Sequence, residues 1–359
     1  MMFLRLLVTG GAGFIGSHFI DYELAHDQSI EIVNLDSLTY AGNVANNAQA
    51  AGNARYHFVH GSINNRELVD WLLQEFAIDH IVNFAAESHV DNSLKNPELF
   101  TKTNVLGTQV LLDAAYQANI QKFIQISTDE VYGTMAPGQA AKETDPLHPS
   151  SPYAASKAGA DMLAMAMVHT FGMPICITRS TNNFGPRQHH EKLLPMLIQN
   201  ALRNRPLTIY GQGTDRRDWL YVKDNCAAID LVLRHGQLGQ IFNIGAHQEK
   251  SNNEVTEMVQ AELGFSDQLI LHVAERPGHD LRYSLDTSQI ETQLHWKSQT
   301  DFALGLHWKN KNAFCVIADT VAAGSESHES LGGKKNEKIL GVSFECGYGF
   351  FACGMWRLV

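Results

Sequence analysis

Tyr153 and Lys157 stand four residues apart in the segment SPYAASK, and Thr128, Asp129 and Glu130 follow one another just after an apolar run, Phe123 to Ile126. Each of these types can move or hold a proton. A phenol has a pKa near 10 and needs a neighbouring cation before it acts as a base near neutral pH. On a helix, four-residue spacing puts Tyr153 and Lys157 on one face, and Pro152 favours a first turn there. The apolar run reads as a buried parallel strand, which would deliver Thr128, Asp129 and Glu130 at its carboxyl end, where open α/β sheets place their sites. Residues 122–157 would thus gather a phenolate base, a hydroxyl donor and two carboxylates. Taken alone, a Tyr-x-x-x-Lys is common by chance, and Asp129-Glu130 is equally an ordinary turn. The chain upstream decides between these readings.

That upstream chain supplies the elements such a site needs. Phe3 to Val8 reads as a first strand, leading into TGGAGFIG, residues 9–16. Gly10, Gly13 and Gly16 permit a tight turn and a close approach of backbone to a pyrophosphate, with a helix from Phe14 to Leu24 presenting its N-terminus. A second strand, Ile30 to Leu35, ends at Asp36, twenty residues after Gly16. An acidic residue there suits ribose hydroxyls and repels a 2′-phosphate, so the expected cofactor is NAD rather than NADP. Strands at Tyr56–His60 and His80–Phe84 follow, with a helix from Asn65 to Glu75 between them. The spacing predicts one long helix over about 97–119, then the Lys122 strand, the Tyr153 helix and a strand from Pro174 to Arg179. Such alternation implies a doubly wound, Rossmann-type parallel sheet with right-handed crossovers.

After about Arg187 the alternation loosens. Helices are expected at 192–203, 224–234 and 254–263, with short strands at 207–210 and 241–244. The organisation predicted is a dinucleotide-binding domain over 1–187, a smaller α/β substrate lobe mainly over 188–305, and an atypical tail over 306–359. Arg217 and Arg276 sit in polar, aromatic connections that suit an anionic ligand, since a guanidinium can grip phosphate at two points. A surface ion pair is the alternative for either.

Composition bounds the rest. Apolar content of 44% and charge of 18% describe an ordinary globular chain, and a net charge of −11 argues against nucleic acid as a partner. The five cysteines form no CxxC pair, favouring reduced thiols in a cytoplasmic protein over disulfides or a metal site. No apolar run reaches the roughly 18 residues needed to span a bilayer, and the N-terminal run enters the glycine loop without resembling a signal peptide.

Together, TGGAGFIG, AAESHVD at 85–91, STDEVYG at 127–133, SPYAASK at 151–157, EKLLP at 191–195, RRDWLYV at 216–222 and RPGHDLRY at 276–283 resemble the extended short-chain dehydrogenase/reductase superfamily. Within it, the chain resembles the dTDP-glucose 4,6-dehydratase family over roughly residues 3–304. The Asp-Glu pair after Thr128 discriminates, because related epimerases and decarboxylases usually carry other residues there.

The resemblance implies that Tyr153 takes the proton from the sugar 4-hydroxyl, that Lys157 holds the phenolate and the nicotinamide ribose, and that Thr128 bonds the reacting oxygen. It implies that Glu130 removes the proton at carbon 5 and that Asp129 protonates the departing 6-hydroxyl. Implied NAD contacts are Gly10, Gly13, Phe14, Ile15, Gly16, Asp36, Ser62, Ile63, Ala85, Ala86, Thr103, Tyr153, Lys157 and Asn182. Implied substrate contacts are Ser88, His89, Thr128, Asn182, Glu191, Lys192, Leu193, Tyr210, Arg217, Asn243, Arg276 and His279. A buried structural Asn or Tyr is the alternative for Asn243 and Tyr210. The resemblance also implies a homodimer formed through two helices, about 97–119 and 153–171; an intrachain face would look the same for the Ala- and Met-rich second helix.

Three departures stand out. Ser62 occupies the place of an Asp that contacts adenine, Asn92 replaces an Arg, and the chain leaves the family pattern after Leu306, as a shifted reading frame would make it do. Two further readings stay open: a dehydratase or epimerase for a UDP-sugar, and a non-catalytic NAD-binding regulatory protein.

Overall fold

Short apolar runs, most of them closing on a polar residue, build the central sheet. In the computed structural model, residues 4–275 and 277–307 are described. The first half runs β1 (Leu4–Thr9), α1 (Phe14–His26), β2 (Ile30–Asp36), β3 (Tyr56–His60), α2 (Arg66–Glu75) and β4 (His80–Asn83). Next come α3 (Val90–Lys95), α4 (Pro97–Phe100), a π-helical turn (Thr101–Leu106), α5 (Gly107–Gln117), β5 (Lys122–Thr128), α6 (Pro152–Phe171) and β6 (Ile175–Ser180). The second half adds β7 (Asn182–Phe184), α7 (Leu193–Leu202), β8 (Leu207–Tyr210), β9 (Arg216–Tyr221), α8 (Val222–His235) and β10 (Ile241–Ile244). It ends with β11 (Glu249–Ser251), α9 (Asn252–Leu263), β12 (Ile270–Val273) and α10 (Ser288–Gln293).

The large sheet has seven strands in the order β10-β6-β5-β4-β1-β2-β3, every pair parallel. The Rossmann-type sheet expected from the alternation is therefore present. In β1, Leu6 and Val8 enter one layer with Phe19 and Ile20 of α1 and Ile229 and Val232 of α8. Leu7 enters the other, with Val69 of α2, Leu111 of α5 and Met167 of α6. Burying each such side chain stabilises the fold by about 1.5–3 kcal/mol. Because all seven strands point the same way, their carboxyl ends share one edge, where Thr9, Asp36, Asn83 and Thr128 stand.

The chain beyond Arg187 contributes to both parts of the molecule. Its strand β10 pairs with β6 at the edge of the large sheet. The sheets β11-β9-β7 and β12-β8, with α7 and α9, close instead around Phe184, Trp219, Leu197 and Val259.

The single helix expected over 97–119 is divided. Pro97 starts α4, capped by the Asn96 side chain, and the π turn then widens the coil before α5 resumes at Gly107. The widening turns Asn104 inward, where its carboxamide accepts from Glu87 N at 2.8 Å and donates to Ser156 Oγ at 2.8 Å. The short helix α3 was not anticipated. The residue types that favour it are polar, and its cap is a histidine: His89 Nδ1 accepts from Asn92 N at 3.3 Å. No helix among the described residues is long and apolar enough to cross a membrane. Cys176 and Cys226 are buried free thiols. The altered tail expected over 306–359 lies, after His307, outside the described residues.

Candidate active site

Strand β5 ends at Thr128, in extended conformation, and the chain turns at once into a 3-10 turn, Asp129–Tyr132. Thr128 Oγ1 accepts from Glu130 N at 3.3 Å and donates to Asp129 Oδ1 at 3.1 Å, so one hydroxyl caps the turn and orients its first carboxyl. Asp129 is 3% exposed, and its Oδ2 has no hydrogen-bond partner. Burial, followed by the charge of Glu130, pushes the Asp129 carboxyl up to about 8. It therefore holds its proton at neutral pH, as a general acid must. Glu130 is partly buried beside it.

Helix α6 brings Tyr153 and Lys157 to this turn. Ser151 caps the helix through Ala154 N, and Pro152 occupies the first turn. The Tyr153 phenol hydrogen-bonds with the Thr128 side chain. Lys157 is 5% exposed and donates from Nζ to Ile126 O at 2.6 Å. Burial lowers Lys157 to about 8, against the opposing pull of Asp161. Burial and the charge of Glu130 raise Tyr153 well above 10. In the protein alone, then, the phenol is pushed up rather than down. The ammonium of Lys157 is committed to a backbone carbonyl, and desolvation outweighs it.

Beneath these groups lies a buried polar network that no local sequence pattern announces. Asp161 Oδ2 accepts from Ser127 Oγ at 2.9 Å and from Arg179 Nε at 3.0 Å. Arg179 Nη1 donates to Tyr132 OH at 2.7 Å, and Tyr132 OH donates to Asn243 Oδ1 at 2.9 Å. Asn243 is fully buried, and its Nδ2 donates to Ala141 O and Asp286 O. Its side chain is satisfied inside the protein and away from the cleft lining.

The cleft itself, about 490 Å³, runs along the carboxyl edge from β3 to β6. Its floor fits a dinucleotide. Gly10 has φ +68°, and a Cβ there would lie 2.7 Å from Ala85 N; at Gly16 it would lie 2.6 Å from Gly10 O. The N-terminus of α1 has no side-chain cap and no acid in its first turn, leaving N–H groups for a pyrophosphate. Asp36 accepts from Ala12 N at 2.9 Å and Leu38 N at 2.8 Å, which fixes its carboxylate at the rim. Gly13, Phe14, Ile15, Ser62, Ile63, Ala85, Ala86, Thr103 and Asn182 all line this cleft, together with Thr128, Asp129, Glu130, Tyr153 and Lys157. Ser62 Oγ accepts from Asn64 N at 3.2 Å.

Of the substrate residues, Ser88, Glu191 and Lys192 line the same cleft. Lys192 Nζ donates to Ser88 O at 2.8 Å, and His89 Nε2 lies 3.7 Å from Glu191 Oε2. Leu193 opens α7 and packs on the core around Phe184. Arg217, His279 and Tyr210 form a second group outside that lining. Arg217 stacks over Tyr283 at 4.4 Å and donates to Asp280 O at 2.7 Å. Its Nη2 lies 3.1 Å from His279 Nε2, whose other nitrogen faces Glu275 at 2.5 Å and Asp215 at 3.4 Å. Tyr210 OH donates to Asp91 Oδ2 at 3.2 Å. Arg276 lies outside the described residues. Arg217 and Glu130 both act electrostatically on Tyr283, which joins the two groups.

Known proteins share this architecture. Residues 7–307 match the family described as GDP-mannose 4,6 dehydratase. The Low-salt glycan biosynthesis protein Agl12 of Haloferax volcanii is 50% identical over 303 residues, covering 84% of this chain and 96% of that protein. The dTDP-glucose 4,6-dehydratase of Streptomyces niveus is 45% identical, covering 84% and 90%. Among solved structures, a dTDP-glucose 4,6-dehydratase from Streptomyces venezuelae, crystallised with NAD, superposes with a TM-score of 0.85 at 46% identity, covering 88% of this chain and 98% of that one. A UDP-glucose 4-epimerase from Thermotoga maritima reaches 0.81 at 27% identity, covering 88% and 100%. The chain belongs to the GDP-mannose 4,6 dehydratase family of extended short-chain dehydrogenase/reductases.

Proposed function

We infer that this chain dehydrates dTDP-glucose to dTDP-4-keto-6-deoxyglucose with NAD as cofactor. The observation that carries the reading is the Asp129-Glu130 pair beside Tyr153, with burial holding the Asp129 proton to about pH 8. Epimerisation at carbon 4 needs no acid for a 6-hydroxyl, so this pair separates the reaction from that of the epimerase neighbour. When bound, NAD supplies the two-electron chemistry, taking hydride from carbon 4 and returning it to carbon 6. Tyr153 accepts the proton of the 4-hydroxyl, and Thr128 hydrogen-bonds the same oxygen. Ionising Tyr153 requires positive charge to offset burial and Glu130, and Lys157 is one source of it. A ketone at carbon 4 acidifies the proton at carbon 5, which Glu130 removes. Asp129 gives its proton to the 6-oxygen, which departs as water, and carbon 5 is then reprotonated.

Ser88, His89, Asn182, Glu191 and Lys192 suit the sugar, while Arg217, His279, Tyr210 and Arg276 suit the diphosphate and base. Support for the latter assignment is the proximity of the Arg217 group to the carboxylate turn. Asn243, whose side-chain bonds are internal, is better suited to holding Tyr132. We also read the enzyme as a cytoplasmic homodimer. Leu99, Leu106 and Tyr116 on the α4–α5 stretch, and Met162 and Phe171 on α6, are exposed apolar side chains that a second copy would cover. The test of the function is mass spectrometry of the product formed from dTDP-glucose in deuterium oxide. A product lighter by one water and carrying one deuteron at carbon 5 is expected. An isomer of unchanged formula, or turnover confined to UDP-sugars, would defeat the reading.

A further inference from the structure

Tyr40 belongs to no part of the chemistry above, yet it joins three separate segments at the mouth of the cleft. It lies in the loop after β2, whose ends are fastened. Leu38 N donates to Asp36 Oδ1 at 2.8 Å, and Asn43 N donates to Ala12 O at 3.0 Å. From the loop the phenol reaches the segment after β4, where it hydrogen-bonds with Ser88. Its ring also meets His189 edge to face, with centroids 5.6 Å apart and planes at 87°. Lys192 Nζ, from that third segment, bonds to Ser88 O at 2.8 Å and closes the ring of contacts.

The sheet order gives this arrangement its meaning. Strands β4 and β2 flank β1 on either side. A contact from the β2 loop to the β4 loop must therefore cross over the glycine loop that follows β1. Thr39, Ala41 and Gly42 line the cleft on one side of that crossing and Ser88 on the other. A dinucleotide reaching from Asp36 to Tyr153 lies on the glycine loop and so passes beneath Tyr40. We propose that Tyr40, through its contacts with Ser88 and His189, is a strap that holds the cofactor in the cleft through the catalytic cycle. The inference rests on NAD being the cofactor. The chemistry supplies the need: hydride removed from carbon 4 must return to carbon 6 of the same sugar, so a cofactor lost midway strands the intermediate. Burial, the largest cause, holds the Tyr40 phenol up at about 12, so it remains a donor across the working range.

The test is the exchange rate of bound NAD. Holoenzyme is mixed with an excess of isotope-labelled NAD, and the label in the protein fraction is followed by mass spectrometry. Tyr40→Phe keeps the ring and removes the hydroxyl, and should speed exchange about fivefold, as one hydrogen bond is worth. Tyr40→Ala, which also removes the ring contact with His189, should speed it further. Exchange from Tyr40→Ala within twofold of the parent rate would overturn the proposal. So would a raised KM for the sugar with unchanged exchange, which would make Tyr40 a substrate contact. Should the alanine variant fail to fold, Tyr40→Phe decides alone. A parent protein that holds NAD but makes no product would sink the dehydratase reading and leave the exchange comparison intact.

Discussion

The two halves of the site solve the problem of charge differently. On the β5–α6 side, ionisable groups are buried and their titration is displaced: Asp129 up to about 8, Lys157 down to about 8, Tyr153 upward. On the Arg217 side, the guanidinium is also buried, at 7% exposure, but its donors go to backbone carbonyls and to His279, and its face to an aromatic ring. The first arrangement makes protons available near neutral pH. The second keeps a fixed positive charge in a fixed orientation. Reactivity thus follows from withholding solvation partners, and recognition from supplying them.

This contrast can be broken most severely on the reactive side. Tyr153→Phe should lower kcat by roughly 10³-fold, with no reduced-nicotinamide absorbance on mixing with substrate. Glu130→Gln should lower product formation by roughly 10²-fold or more, yet accumulate that absorbance, because oxidation precedes the step Glu130 serves. Equal absorbance in the two variants would erase the division of labour. Arg217→Lys should raise KM about tenfold and leave kcat nearly unchanged, since a lysine cannot reproduce the fork and the ring stacking; initial rates against substrate concentration decide it.

A pH profile sharpens the same contrast. Asp129 must be protonated to act, so activity should fall as pH rises through about 8. Its native pKa exceeds that of the unfolded chain, so the folded state binds the extra proton between about 4 and about 8, and stability declines as pH rises across that window. Asp129→Asn should abolish dehydration and flatten the decline, as melting temperatures at several pH values would reveal. The smallest expected effect is on Asn243. Its replacement by Ala should cost about 1–3 kcal/mol of stability by removing the acceptor of the buried Tyr132 hydroxyl and one donor each to the Ala141 and Asp286 carbonyls, with a smaller change in KM than Arg217→Lys produces. Denaturant unfolding beside steady-state kinetics separates the two.

What the sequence revealed follows the same physical line. The strands and the glycine loop are local: apolar runs such as Leu6–Val8 and the spacing of Gly10, Gly13 and Gly16 carry their own signature. Tyr153, Lys157, Thr128, Asp129 and Glu130 were legible because a short stretch holds them, and the fold brings all five to one cleft. The supporting network was not. Asp161, Arg179 and Tyr132 are joined across 18 and 47 residues, and a polar residue inside an apolar strand gives no sign of its distant partner. Tyr40 was missed likewise, because its contacts come from two other loops. The phenol's raised pKa escaped the spacing argument because four-residue spacing says nothing of how deeply the ring is buried or of the charge of Glu130 beside it.

The π turn at Thr101–Leu106 has a consequence for how this chain tolerates insertions and deletions. A π turn is an α-helix carrying a surplus residue. Deleting a single residue there would let α4 and α5 merge into a regular helix with better local hydrogen bonding. Each residue advances a helix by about 100°, so the merger would swing Asn104 out of phase with Glu87 and Ser156, or Gly107 out of phase with Ile63. The more ideal helix would be the worse enzyme, and length polymorphism in this stretch should be selected against although much of its surface is exposed.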